Sequence, residues 1–392
     1  MLVPIAYGTR SLFVRRWTSI FTAGGIGLVV AVTILLAGLV GGLQRMLVGT
    51  GDPDNLVVLR KGATNDGSSF LTREAVQIVR ALPGIATGAD GRPLVSPEII
   101  NQPFMRTREG GRENVLVRGI EPVAFEVHRD VRLVEGRMLQ PKLGEVVVGK
   151  GVALRHDGAH VGGRLSFGRR TWTVVGVFDG GGTAFDSEIW ADLSDVQDDA
   201  RRPSGCSGIR LRIAPGADRQ ALVERIAADA RVTLEGKPET VYYEEQAEAA
   251  NSLYVLVLVL AVIMATGATF GALNTMYAAV AGRTAEIGTL RALGFSRTAI
   301  LLSFLSESLL LAAGGFVGGV VLGVAAMWAV NTLLQGVAFS MMTFSVATVL
   351  LQPSTTGVLL GLLFAIAIGG LGGLAPAWRA SRLRVVDALH RA

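Results

Sequence analysis

Hydrophobic and polar positions divide this chain into two kinds of material. Residues 20–43, 252–277, 300–334 and 357–375 are apolar runs almost free of charge, each long enough for a helix that crosses a bilayer with roughly 20 residues. The third run exceeds what the hydrocarbon core requires and predicts tilt or projection beyond it. Between the first two runs, residues 44–251, the pattern changes to short alternating segments separated by Gly, Pro, Asp and Asn. That pattern predicts a folded aqueous domain of α+β type. Asn55 to Arg60 reads as a strand, and Thr72 to Leu82 as a helix with Thr72 as N-cap, Glu74 in the first turn and Pro83-Gly84 as its stop. Late in the domain, Gly208 to Ile213, Ala217 to Ala230 and Arg231 to Glu235 read as strand, helix and strand. The ends, 50–100 and 207–245, therefore suggest one α+β subdomain. The middle, 101–206, is β-rich, with strands at Val115–Val117, Glu145–Val148, Arg164–Phe167 and Thr171–Val177.

Charge fixes how this material is arranged. The whole chain is 50% hydrophobic and 18% charged, with a formal net charge of +5. Residues 45–251 carry 27 Lys and Arg against 29 Asp and Glu, whereas the remainder carries 10 against three. The basic excess thus flanks the apolar runs, which argues against a nucleic-acid surface. Arg10, Arg15 and Arg16 precede the first run; Arg283, Arg291 and Arg297 lie between the second and third; Arg379, Arg382, Arg384 and Arg391 follow the fourth. Short cytoplasmic loops retain arginine, so residues 1–19, 278–299 and 376–392 are expected inside, and the insertion and the uncharged loop 335–356 outside. Pro4 to Trp17 reads as an amphipathic helix on the inner surface. A cleaved signal peptide would have a shorter apolar core. A single cysteine, Cys206, excludes an intrachain disulfide.

Chemical motifs are few. Gly144 to Lys150 imitates a phosphate-binding loop, but Gly151 stands where the Mg²⁺-binding hydroxyl belongs and the interior reads as a strand. His156 and His160 flank Asp157 and Gly158 with no strong third ligand, which reads as a surface turn. Glu307 is an ionisable residue inside an apolar run, a functional candidate by default; Arg297 or an arginine of another helix could pair with it. Gly314-Gly318 and Gly315-Gly319 have the spacing of close helix contacts, within one subunit or across a dimer.

Between the second and third runs, Ile287, Leu290 and Leu293 form an apolar stripe at helical spacing, with Arg283, Glu286 and Arg291 available to solvent or a partner. Gly294 is placed to end this short helix. The run Arg283 to Ser296 resembles the cytoplasmic coupling segment of FtsX-like permeases of the MacB and LolC/LolE type. Val134 to Arg137, Val148 to Lys150, Trp172 to Phe178 and Pro376 to Arg382 also fit that family.

The resemblance implies an α-helical membrane protein with four transmembrane helices and a MacB-type α+β periplasmic core domain inserted between helices 1 and 2. It further implies a dimer, with a second copy or a paralogue, served by two cytoplasmic ATPase subunits that bind the ATP and Mg²⁺. No cofactor or metal is expected in this chain itself, whose ATPase is expected as a separate polypeptide. A periplasmic adaptor is an expected partner, and the coupling residues would be Arg283, Glu286, Ile287, Leu290, Arg291, Leu293, Gly294 and Ser296. Export, lipoprotein release and activation of a cell-wall hydrolase are the functions the resemblance leaves open.

Overall fold

The structure, a computed structural model, describes residues 16–202, 204–248, 251–334, 336–341 and 344–383. The expected inner-surface helix falls outside them except for Arg16 and Trp17, as do Arg384, His390 and Arg391. Helix α1 spans Arg16–Val48. Residues 43–250, with 337–349, form one compact unit, the insert domain; the remaining helices form the other.

The strands of the insert domain are β1 (Asn55–Arg60), β2 (Val95–Asn101), β3 (Phe104–Arg106), β4 (Arg112–Asn114), β5 (Leu116–Ile120), β6 (Arg132–Gly136), β7 (Glu145–Gly149), β8 (Arg164–Phe167), β9 (Arg170–Asp179), β10 (Glu188–Asp192), β11 (Gly208–Arg212) and β12 (Leu234–Pro238). Its helices are α2 (Arg73–Arg80), α3 (Ala124–Val127), α4 (Lys150–Arg155), α5 (Leu193–Asp199), α6 (Arg219–Ala228) and α7 (Glu239–Glu248). Thr72 caps α2 by accepting the Ala75 N–H at 3.3 Å.

The ends and the middle of the insertion share one mixed sheet in the order β12-β1-β11-β2-β5-β10-β7-β9-β6, with β8 beside β9. Strand β2 makes the join. Its first half, Val95 to Glu98, pairs with β11, and its second half, Ile99 to Asn101, pairs with β5. Strand β12 begins three residues later than the pattern suggested, because Arg231 is folded into a turn by main-chain and side-chain bonds to the Asp229 carboxylate. Sheet alternation sorts β1 between two cores. Leu56 and Val58 join Val79, Leu222 and Ile226 of α2 and α6, while Val57 and Leu59 join Tyr242 and Tyr243 of α7. The middle has its own cores, around Val146, Trp172 and Ile189 and around Phe178 and Trp190.

The helical unit continues with α8 (Asn251–Ala281), α9 (Thr284–Ala292), α10 (Arg297–Leu333) and α11 (Thr355–Ser381). Among the described residues, α1, α10, α11 and the helix running through α8 are long and apolar enough to cross a membrane. At 37 residues, α10 is about 55 Å long, well beyond the roughly 30 Å core. The loop after it carries a hairpin, β13 (Val337–Met341) and β14 (Phe344–Val349).

Glycine sets how closely these helices approach. A Cβ on Gly315 would lie 2.7 Å from the Ala23 carbonyl oxygen, and one on Gly319 2.5 Å from that of Gly27. Gly357 and Gly361 of α11 likewise seat against Ala37 and Val30 of α1, and Gly369 and Gly372 against Ala312 and Ala272. The row Gly315-Gly319 is thus an internal packing surface, whereas Gly314 and Gly318 meet nothing within 4 Å.

Candidate functional site

The segment between α8 and α10 is built to hold one side and present another. Ile287 is buried among Met276 and Val280 of α8, Ile300 and Phe304 of α10 and Ala377 and Ala380 of α11, with Leu290 and Phe295 packed against the same cluster. The end of α9 is a Schellman motif. Gly294, at φ +91°, lets its own N–H reach the Arg291 carbonyl at 3.2 Å and the Phe295 N–H reach that of Leu290 at 3.1 Å. Ser296 then caps α10 by accepting the Ala299 N–H at 3.2 Å. The turn directs Leu293 outward, 70% exposed.

Arg283 corrects the sequence expectation that it would face solvent or a partner. It is buried, and its Nη1 donates to Glu307 Oε2 at 3.1 Å. A carboxylate inside an apolar helix needs a buried counter-charge, and Arg283 supplies it from the turn before α9. Arg297 is exposed at the first position of α10, ten residues or about 15 Å of helix from Glu307. Arg291 is half-buried and donates to the Phe295 carbonyl at 3.1 Å. Glu286 is exposed. The face offered outward therefore comprises Glu286, Thr289, Ala292 and Leu293. At the end of α11, the Arg379 guanidinium lies 5.8 Å from the Tyr277 ring of α8, and that of Arg382 lies 4.1 Å from Trp378.

The insert domain holds a second polar centre that the sequence did not single out. Arg210 of β11, fully buried, donates from both terminal nitrogens to Asp66 at 2.7 Å. Arg118 of β5 grips Glu188 at 2.7 and 2.5 Å and reaches Glu98 at 2.8 Å. His128 Nε2 meets the other oxygen of Glu98 at 2.8 Å. Glu239, the first residue of α7, accepts the Asp52 N–H and the Asn55 amide on Oε2, at 3.1 and 3.0 Å. Its Oε1 has no hydrogen bond and lies 4.0 Å from Arg210 Nε, which has none either. Burial raises the Glu239 carboxyl above its ordinary value, against the pull of His128 and Arg210. Burial also works on Asp66 and Glu98, but the surrounding positive groups outweigh it and hold both below theirs.

Gly144 to Lys150 lies mainly in strand β7, with Val146, Val147 and Val148 fully buried. His156 is buried with Nδ1 2.9 Å from the Arg106 carbonyl, and burial lowers its pKa. Among the described residues, no group of three or more His, Cys, Asp and Glu could hold a metal ion.

Residues 19–229 match the family model of the MacB-like periplasmic core domain, and residues 258–385 that of the FtsX-like permease C-terminal region. The chain belongs to the MacB-like, FtsX-type permeases. The macrolide export ATP-binding/permease protein MacB of Bdellovibrio bacteriovorus is 26% identical over 93% of this chain and 57% of its own length. The lipoprotein-releasing system protein LolC of Xylella fastidiosa is 28% identical over 56% of this chain and 55% of its own. An uncharacterised ABC transporter permease, YvrN of Bacillus subtilis, is 34% identical over 37% and 33% respectively. The chain thus spans less than two thirds of each of these relatives. As a MacB-like permease it is a multi-pass membrane protein with an extracytoplasmic domain, and its family works with an ATPase.

Proposed function

We propose that this chain is the permease subunit of a MacB-like ABC exporter. ATP hydrolysis in a cytoplasmic ATPase moves α9, and that movement works the insert domain on the outer side. The substrate is taken from the periplasm or the outer leaflet and handed to a periplasmic adaptor. The permease acts as a dimer, with both termini in the cytoplasm, and its two ATPase subunits hold the ATP and Mg²⁺. The observation that supports this reading is the build of α9. A nine-residue helix is fastened on one face by Ile287 and by the Arg283–Glu307 pair, and ends on an outward leucine.

Leu293→Asp and Glu286→Lys test the docking face without touching the buried one. Loss of an apolar anchor from the centre of an interface costs about 2 kcal/mol or more, which is roughly thirtyfold in affinity. Leu293→Asp should therefore reduce co-purification of the ATPase about thirtyfold while the permease stays folded. Retention of the ATPase by both variants would remove α9 from the interface. The similarity to LolC supports a second reading, lipoprotein release. Capture of a soluble lipoprotein carrier by the outer side of the complex, rather than of an adaptor, would favour it.

A further inference from the structure

If α9 is where the ATPase pushes, the contacts around it determine which span responds. Helix α9 is joined by chain to α8 and α10, and Ile287 packs on α8, α10 and α11, but the Arg283–Glu307 pair reaches α10. Arg283, at the N-terminal edge of α9, bonds Glu307, and both side chains are at most 10% exposed. Two turns beyond Glu307, α10 meets α1 backbone to backbone. Gly315, Gly319 and Gly323 step by four residues against Ala23, Gly27 and Ala31, which also step by four. Matching steps in the same direction make the two helices parallel along this seam, as first and third spans must be. With no α10 side chain at these three positions, α10 lies directly against the α1 backbone and its Ile26 and Val30 side chains, so a shift of α10 displaces α1 directly.

Helix α1 is also the best-enclosed span, with 67% of its apolar window buried, against 17% for the span through α8. Glycines 267 and 271 of α8 meet nothing within 4 Å. Beyond the end of α1, Thr50 donates to the Met46 carbonyl at 2.7 Å and accepts the Ala184 N–H at 3.0 Å. A Cβ on Gly51 would lie 2.8 Å from Thr240 Cα. Within the insert domain, the residues that follow α1 are thus held by a hydrogen bond at Thr50 and by a close backbone approach at Gly51.

We infer that the stroke travels from α9 through α10 to α1, with Glu307 as the positioning residue that fastens α9 to α10 and Gly319 at the centre of the seam that moves α1. The span through α8 follows rather than drives. This inference rests on the proposed docking of α9.

The test uses the full-length permease with its ATPase in nanodiscs, carrying a fluorophore at Arg108→Cys on the insert domain. Co-purification of the ATPase reports docking, and the ATP-dependent change in fluorescence reports the stroke. Gly319→Val and Glu307→Gln should each reduce the ATP-dependent change at least tenfold while the ATPase still co-purifies. Gly318→Val and Gly271→Val, on open faces, should leave it within twofold of the parent. The exchange Arg283→Glu with Glu307→Arg should recover most of what Glu307→Gln loses, and it serves as the deciding variant if Gly319→Val fails to accumulate. A full signal in Gly319→Val, an exchange no better than Glu307→Gln, or a loss in Gly271→Val equal to that in Gly319→Val would overturn the inference. Failure of the parent permease to retain the ATPase would instead overturn the docking of α9 and this route with it.

Discussion

Arg210→Ala should destabilise the insert domain by about 3–5 kcal/mol, the cost of removing one partner from a buried ion pair. The guanidinium is fully buried, its two terminal nitrogens serve Asp66, Nη1 lies 3.5 Å from Glu98, and its plane lies over the Tyr242 ring at 5.7 Å. Alanine leaves two carboxylates in a site water cannot reach. Tyr242 also donates to Asp66 at 3.0 Å, so the damage extends to α7, which carries that tyrosine. Denaturant unfolding followed by tryptophan emission measures the effect, since Trp172 and Trp190 are fully buried in the insert domain. Lys at this position should recover only part of the loss, because an ammonium cannot form the two parallel bonds to Asp66. A cost below about 1 kcal/mol for the alanine variant would show that Asp66 and Glu98 do not depend on Arg210, contrary to the range expected for such pairs.

This centre shows where the sequence was legible and where it was not. Local features could be read directly. Strands β1 and β8 begin and end at the residues their alternation indicated, Thr72 caps α2, and Gly294 ends α9. Each depends on neighbours within a few positions. The charge centre depends on pairing across the chain. Arg210 lies 144 residues from Asp66, and Glu239 lies 184 from Asn55. In Gly208-Ile209-Arg210-Leu211-Arg212, apolar and basic residues alternate as they would on a strand with one wet face. That face is instead covered by α7, so its charges had to find partners inside. The continuity of the sheet through β2 was hidden for the same reason. Nothing local indicates that one strand changes partners at its midpoint. Leu293 shares an apolar stripe with Ile287 and Leu290 by spacing, but six residues past Ile287 a helix has turned to about 120° from it, and the Gly294 turn carries it outward. Glu307 was recognisable as a charge needing a partner; its partner was not, because Arg283 approaches from a turn rather than from a spanning helix.

Acid and alkaline limbs of stability in the insert domain should have different owners. Asp66 and Glu98 sit below their ordinary values of 3.8 and 4.5, so in the acid range the unfolded chain binds more protons than the native one. Their stabilisation is complete above the ordinary values and is lost as pH falls through the lowered ones. Glu239 is shifted the other way, raised above 4.5 by burial, so there the native state binds the extra proton. Its contribution is present at low pH and is lost as pH rises above 4.5 towards the raised value. Glu239→Gln keeps an acceptor for the Asp52 and Asn55 N–H groups and removes the titration. The variant should retain the acid limb and lose the alkaline one. At pH 8 its Tm should exceed that of the parent, and the gap should narrow at pH 5. Thermal unfolding followed by tryptophan emission at both pH values decides it. A variant less stable than the parent by the same margin at pH 8 and pH 5 would mean that Glu239 is ionised and paired with Arg210, and that the buried centre needs its charge.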